Sequence, residues 1–166
     1  MLEEHFDLQE ELQVQFFGKH WDTKIPSHRI VCAILAEVGK FLEELSNWKW
    51  WTAKAVHREE ALLKLVNIWH FYITFFLKAG SCSPSLVVEE FRRGLLSPPE
   101  SDPSLCIKTF AWEVLQLELL HTDFSRPVYF LGRTLSALGF SEAQFDHLYK
   151  TKLQSWSLPQ FSKKSF

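Results

Sequence analysis

Methionine occurs once, at the first position, and glycine only six times in 166 residues. Cysteine is scarce too: Cys32, Cys82 and Cys106 are too few and too scattered for a disulfide framework or a zinc site. They read as reduced cytosolic thiols. No glycine-rich phosphate loop, nucleophile elbow or Cys-x-x-Cys occurs. The histidines at 5, 20, 28, 57, 70, 121 and 147 never fall at the spacing of a zinc pair. A formal net charge of -2 argues against a nucleic-acid binder that works by broad electrostatics. The short basic pairs Arg92-Arg93 and Lys163-Lys164 read as solvated surface.

Long apolar runs are also missing. The longest lies between Lys64 and Lys78, interrupted by Asn67, His70 and Thr74, where a membrane span needs about 20 apolar residues. It reads as a buried helix. The opening Met-Leu-Glu-Glu-His-Phe-Asp is acidic where a leader would be basic, so a soluble, cytoplasmic protein is expected, with no membrane partner.

What the chain does have is apolar content, 46%, rich in aromatics at 15%, and helical periodicity. Apolar positions predict helices over about 3–17, 27–46 and 57–79, the last apolar on nearly every face and so central. Gly80 is placed as its C-terminal cap. A short helix follows from Ser83-Pro84 to about Gly94, then a loop, Ser97-Pro98-Pro99-Glu100-Ser101-Asp102-Pro103. Asp102-Pro103 reads as an N-cap followed by a proline at the first helical position. Helices over 103–121, 127–138 and 141–153 complete the series, and Ser141 with Gln144 has capping-box spacing. The expectation is one all-α domain over 1–153 with a loose tail over 154–166.

Two segments are more specific: Glu37-Val-Gly-Lys40-Phe-Leu-Glu43-Glu44-Leu-Ser-Asn-Trp48-Lys49-Trp50-Trp51, and Lys64-Leu-Val-Asn67-Ile-Trp-His70-Phe71. Together with Leu8-Gln9-Glu-Glu-Leu12-Gln13, they resemble the dimeric all-α dUTPases, and more broadly the helical nucleoside-triphosphate pyrophosphatases. In that family Glu-x-x-Glu runs into a Trp-Lys-Trp-Trp-like turn, and the next helix carries Glu-x-x-Asp followed by His-Phe. The likeness covers about residues 5–80. A weaker one lies in Leu148-Tyr149-Lys150-Thr151-Lys152-Leu153, similar to a late Tyr-x-x-Lys segment. The glycine-rich phosphate motif expected beyond it does not occur in these 166 residues.

The resemblance implies an all-α helical bundle, a homodimer, and hydrolysis of dUTP to dUMP and pyrophosphate. Carboxylates three apart share a helix face, and four of them on two helices would hold Mg²⁺ on the phosphates. Here the four positions read Glu37, Lys40, Lys64 and Asn67, so Glu37 alone is a retained candidate metal ligand. No catalytic residue is assigned and no cofactor expected; Mg²⁺ would serve only an active enzyme using Glu37, Glu44 and Glu60 in a rearranged site.

The lysines admit two readings. As surface substitutions they pair with Glu37, Glu44 or Glu60 along their own helices, at about 0.2–0.5 kcal/mol a pair. As a site, two ammonium groups stand where magnesium stood and hold a phosphate directly, without hydrolysis. Gln9 and Gln13 occupy positions where the family reads uracil with first-helix amides, against the alternative of a solvated polar face. Trp48 and Trp51 stack on a base or simply pack, and His70 is a substrate contact or a satisfied core histidine. The candidate substrate-binding set is therefore Gln9, Gln13, Lys40, Trp48, Trp51, Lys64, Asn67 and His70. Three functions compete: a non-hydrolysing binder of nucleotide, phosphate or a partner; a working Mg²⁺-dependent pyrophosphatase; and a purely structural protein.

Overall fold

The computed structural model describes residues 1–46, 49, 56–79, 82–120 and 123–156. The Gly80 cap, Trp48, Trp51 and the final ten residues of the expected tail lie outside them. Among the described residues the chain is helical throughout: α1 (Glu4–Phe17), α2 (Trp21–Lys24), α3 (Ser27–Leu45), α4 (Arg58–Ala79), α5 (Pro84–Leu96), α6 (Pro103–Leu120), α7 (Arg126–Leu138) and α8 (Glu142–Trp156).

The boundaries follow local chemistry. At the start of α6, Asp102 Oδ1 accepts the Ser104 N–H at 2.9 Å, with Pro103 leading the helix. The capping box at α8 forms in both directions: Ser141 N donates to Gln144 Oε1 at 2.9 Å, and Gln144 N to Ser141 Oγ at 3.3 Å. Gly18 and Gly139 close α1 and α7 at φ 82° and 80°. Ser46 closes α3 at φ 55°, its hydroxyl donating to the Glu43 carbonyl at 2.8 Å.

α4 meets the length and apolarity of a membrane span, yet 67% of its most apolar window is buried inside the bundle. It packs on α1, α3, α7 and α8. Its Trp69, fully buried, is the meeting point of the core: rings of Phe6, Phe91 and Phe145 approach it at 5.9, 5.3 and 6.2 Å from α1, α5 and α8. The abundance of aromatics is thus largely core packing, each buried ring worth about 1.5–3 kcal/mol.

Three expectations are corrected. α2 has no counterpart in the periodicity; it is one turn long and exists to seat Trp21, 4% exposed. α8 does not end at 153, because Trp156 packs against the core and the helix continues to meet it. Arg92 is not plain solvated surface: it grips Glu142 through Nε and Nη2 at 3.0 and 2.8 Å and Glu3 through Nη1 at 3.0 Å, joining α5 to α8 and the N-terminus. Lysine cannot reproduce that fork, so Arg92→Lys should cost about 1 kcal/mol. The expected readout is a lower urea midpoint at constant m-value; an unmoved midpoint would mean the clamp adds nothing.

Candidate functional site

Lys64, Asn67, His70 and Thr74 recur every three or four residues along α4, a polar stripe on an otherwise apolar helix. α3 lays Glu37 against one end of this stripe, and α1 lays Gln9 and Gln13 against the other.

At the first end, Glu37 is 6% exposed and both of its oxygens are engaged. Oε1 accepts from Lys40 Nζ at 2.6 Å and Oε2 from Asn67 Nδ2 at 2.7 Å. Asn67 in turn accepts through Oδ1 from the ammonium of Lys152, on α8. Burial disfavours the charge on Glu37, but the hydrogen bonds from Lys40 and Asn67 and the charges of Lys40 and Lys64 hold its carboxyl below the usual range. Burial pushes the Lys152 ammonium down; Glu37 pulls it back up while Lys64 and Lys40 oppose it. Three ammonium groups therefore surround one carboxylate.

At the second end, Gln9 is fully buried. Its amide N–H donates to Thr74 Oγ1 at 2.9 Å and reaches His70 Nε2 at 3.5 Å, while its carbonyl accepts from the Tyr149 hydroxyl at 2.9 Å. Gln13, 6% exposed, donates to Thr74 Oγ1 at 3.4 Å. The solvated polar face weighed for these amides is thus overturned: both enter the interior, where the Thr74 hydroxyl accepts a hydrogen bond from each. With Nε2 of His70 accepting, the ring proton sits on Nδ1, which is buried and unpartnered, as is Gln13 Oε1. Burial, and then the charge of Lys152, push His70 down to about pKa 3, so it is neutral.

The two ends are joined by α8. Trp156 meets the His70 ring edge-on at 4.3 Å, and the Lys152 ammonium lies 5.3 Å over the Trp156 ring. Lys152, Tyr149, Thr74 and Trp156 belong to this region but not to the sequence-derived set. The late Tyr149-x-x-Lys152 segment is the sequence signal that pointed toward two of them, although it says nothing of what they touch, and Trp156 stands one turn beyond Lys152 on the same helix face. Lys40, Lys64, Asn67 and Glu37 are brought together as expected, and so are Gln9, Gln13 and His70. Trp48 and Trp51 lie outside the described residues.

Mg²⁺ takes about six hard oxygen ligands. This cluster presents one carboxylate with both oxygens already bonded, crowded by ammonium groups, and does not fit that ion. Among the described residues no three of His, Cys, Asp and Glu gather as a metal site. A separate open groove of about 360 Å³ is lined by Arg93, Arg126 and Tyr129, but these arginines already pair with Glu90 at 2.5 Å and Glu113 at 3.1 Å.

No curated protein matches the chain, and no solved structure does. A family model does, described as dUTPase, and it spans residues 1–154. With the helical bundle, the Glu37–Asn67 contact between α3 and α4, and this match over nearly the whole sequence, the chain belongs to the all-α dUTPase family.

Proposed function

We propose that this chain is a dUTPase-like protein that binds a nucleotide through its phosphates without efficient hydrolysis. The observation that carries the reading is the bonding of Glu37. Hydrolysis needs a carboxylate free to hold a metal or polarise water, and both Glu37 oxygens are taken by Lys40 and Asn67. The surplus of ammonium groups from Lys40, Lys64 and Lys152 suits a phosphate, which accepts charge-assisted hydrogen bonds in any orientation. Further along the stripe, the unpartnered Gln13 Oε1 and His70 Nδ1 offer one acceptor and one donor, the pair that the imide edge of a uracil needs.

A second reading has its own support. Gln9 spends all of its capacity inside the protein, on Thr74, His70 and Tyr149, as it would in a pocket closed for good. The chain is then purely structural or serves a protein partner.

Titration calorimetry with a non-hydrolysable dUTP analogue, in chelator, separates the two. Binding should persist without metal and weaken about tenfold or more in Lys40→Ala/Lys64→Ala, since each charge-assisted bond is worth about 1.5–3 kcal/mol. No binding would favour the structural reading. Magnesium-dependent pyrophosphate release at ordinary enzymatic rates would sink the proposal.

A further inference from the structure

The ammonium groups lie close to the base-reading end of the stripe. On α4 three residues carry the chain from Asn67 to His70, a rise of about 4.5 Å, and six carry it from Lys64, about 9 Å. Through α8 the same ends are joined by ring contacts. The Lys152 ammonium lies 5.3 Å from the Trp156 ring, which lies 4.3 Å from the ring of His70. That interval is the reach of a single nucleoside, so the first phosphate of a bound nucleotide already falls among the lysines.

We infer that the ligand of this site is a nucleoside 5′-monophosphate, taken in preference to the triphosphate; the inference rests on the nucleotide-binding reading above. Charge is matched to one phosphate. Lys40, Lys64 and Lys152 set against Glu37 leave two positive charges in surplus, and a phosphate monoester carries about −1.5 to −2 at pH 7. Each ammonium has three N–H donors; Lys40 spends one on Glu37 and Lys152 one on Asn67, which leaves donors for the phosphate oxygens. Farther from His70 the sign reverses. α3 and α4 run antiparallel, Glu37 meeting Asn67 at 2.7 Å and the Glu44 carbonyl accepting the His57 N–H at 3.1 Å. Seven residues return to within about 20° of the same helix face. Glu44 therefore stands in line beyond Glu37 and Lys40 on α3, and Glu60 beyond Asn67 and Lys64 on α4. Lys49, which follows on the chain, already pairs with Glu43. Further phosphates leaving the cluster along these helices meet carboxylates, and like charges set together cost binding.

Titration calorimetry on the full chain, in chelator at about 0.15 M salt, compares deoxyuridine, dUMP and the non-hydrolysable dUTP analogue. Binding of dUMP should be about tenfold or more tighter than that of either of the others. Lys152→Gln should weaken dUMP about tenfold, the loss of one charge-assisted bond. Glu44→Gln/Glu60→Gln should tighten the triphosphate analogue about fivefold or more, a gain that a damaged fold does not produce. Equal or tighter binding by the triphosphate analogue, or indifference to the loss of both carboxylates, would overturn the preference and leave the nucleotide-binding reading standing. Heat from none of the three compounds would remove both.

Discussion

Gly94→Ala and Gly132→Ala should each destabilise the protein by about 3 kcal/mol, although both replace glycine inside a helix. By helix propensity alone, each change would be worth about 1 kcal/mol in the opposite direction. Tertiary geometry reverses the sign. A Cβ on Gly94 of α5 would lie 1.9 Å from the Tyr129 carbonyl oxygen of α7, and one on Gly132 of α7 would lie 2.0 Å from the Phe91 carbonyl oxygen of α5. The obstacle in both cases is backbone, which cannot turn aside as a side chain would, so the helices must separate. Separation strips contacts from Phe91, Val128 and Leu131, all fully buried. In a chain of this length about 3 kcal/mol corresponds to a melting temperature lower by about 10 °C. Gly39 supplies the control: it lies in α3 with nothing within 4 Å of where a methyl group would stand, so Gly39→Ala should stabilise by about 0.5–1 kcal/mol. Scanning calorimetry on the three variants decides the matter, and a stable Gly94→Ala protein would refute the close crossing of α5 and α7.

The second large effect is acid lability that begins well above the carboxylate range. His5 is fully buried, accepts the Trp69 indole N–H on Nδ1 at 3.0 Å, and donates from Nε2 to Asp146 at 2.8 Å. A second proton would set two donors against each other at Trp69. Burial pushes His5 down to about pKa 4 despite the pull of Asp146, and His70 to about 3. In the unfolded chain both take up a proton near the ordinary value of 6.5. Between the two ranges the unfolded state binds more protons, so stability falls as pH falls, by up to about 1.4 kcal/mol per pH unit for each histidine. From pH 7 to 4.5 the loss is on the order of 5 kcal/mol, comparable with the whole stability of many domains. Glu37 and Asp146, held below their ordinary values, lose stability in the same direction at still lower pH. Urea titrations at pH 7, 6 and 5 should show the midpoint dropping steadily, and His70→Gln should roughly halve the slope. A midpoint constant down to pH 5 would mean that these histidines titrate freely in the fold.

Both effects lie where reading along the chain was least informative. The helices themselves were legible because their signals are local: Asp102 before Pro103, Ser141 three residues before Gln144, and an apolar face repeating every turn. The likeness to the dUTPases rested on short strings, and the meeting of Glu37 with Lys40 and Asn67 follows from two such strings on packed helices. Lys152 was harder, because it reaches Asn67 from 85 positions away and no local pattern reports that distance. Gln9 and Gln13 were ambiguous for a related reason. A polar residue on an amphipathic helix is solvated by default, and only a hydroxyl waiting on another helix makes its burial tolerable.

By itself, then, the sequence determined an all-α chain, its helix boundaries to within a few residues, and its family, because capping, periodicity and short motifs act over a turn or two of backbone. Tertiary structure alone decided which polar groups are buried, which glycines admit a neighbouring backbone, and that three lysines converge on one carboxylate. It also decided that Leu105, Trp112 and Leu119 face outward, since a helix whose apolar residues fall on more than one face carries no mark of which side its neighbours will cover.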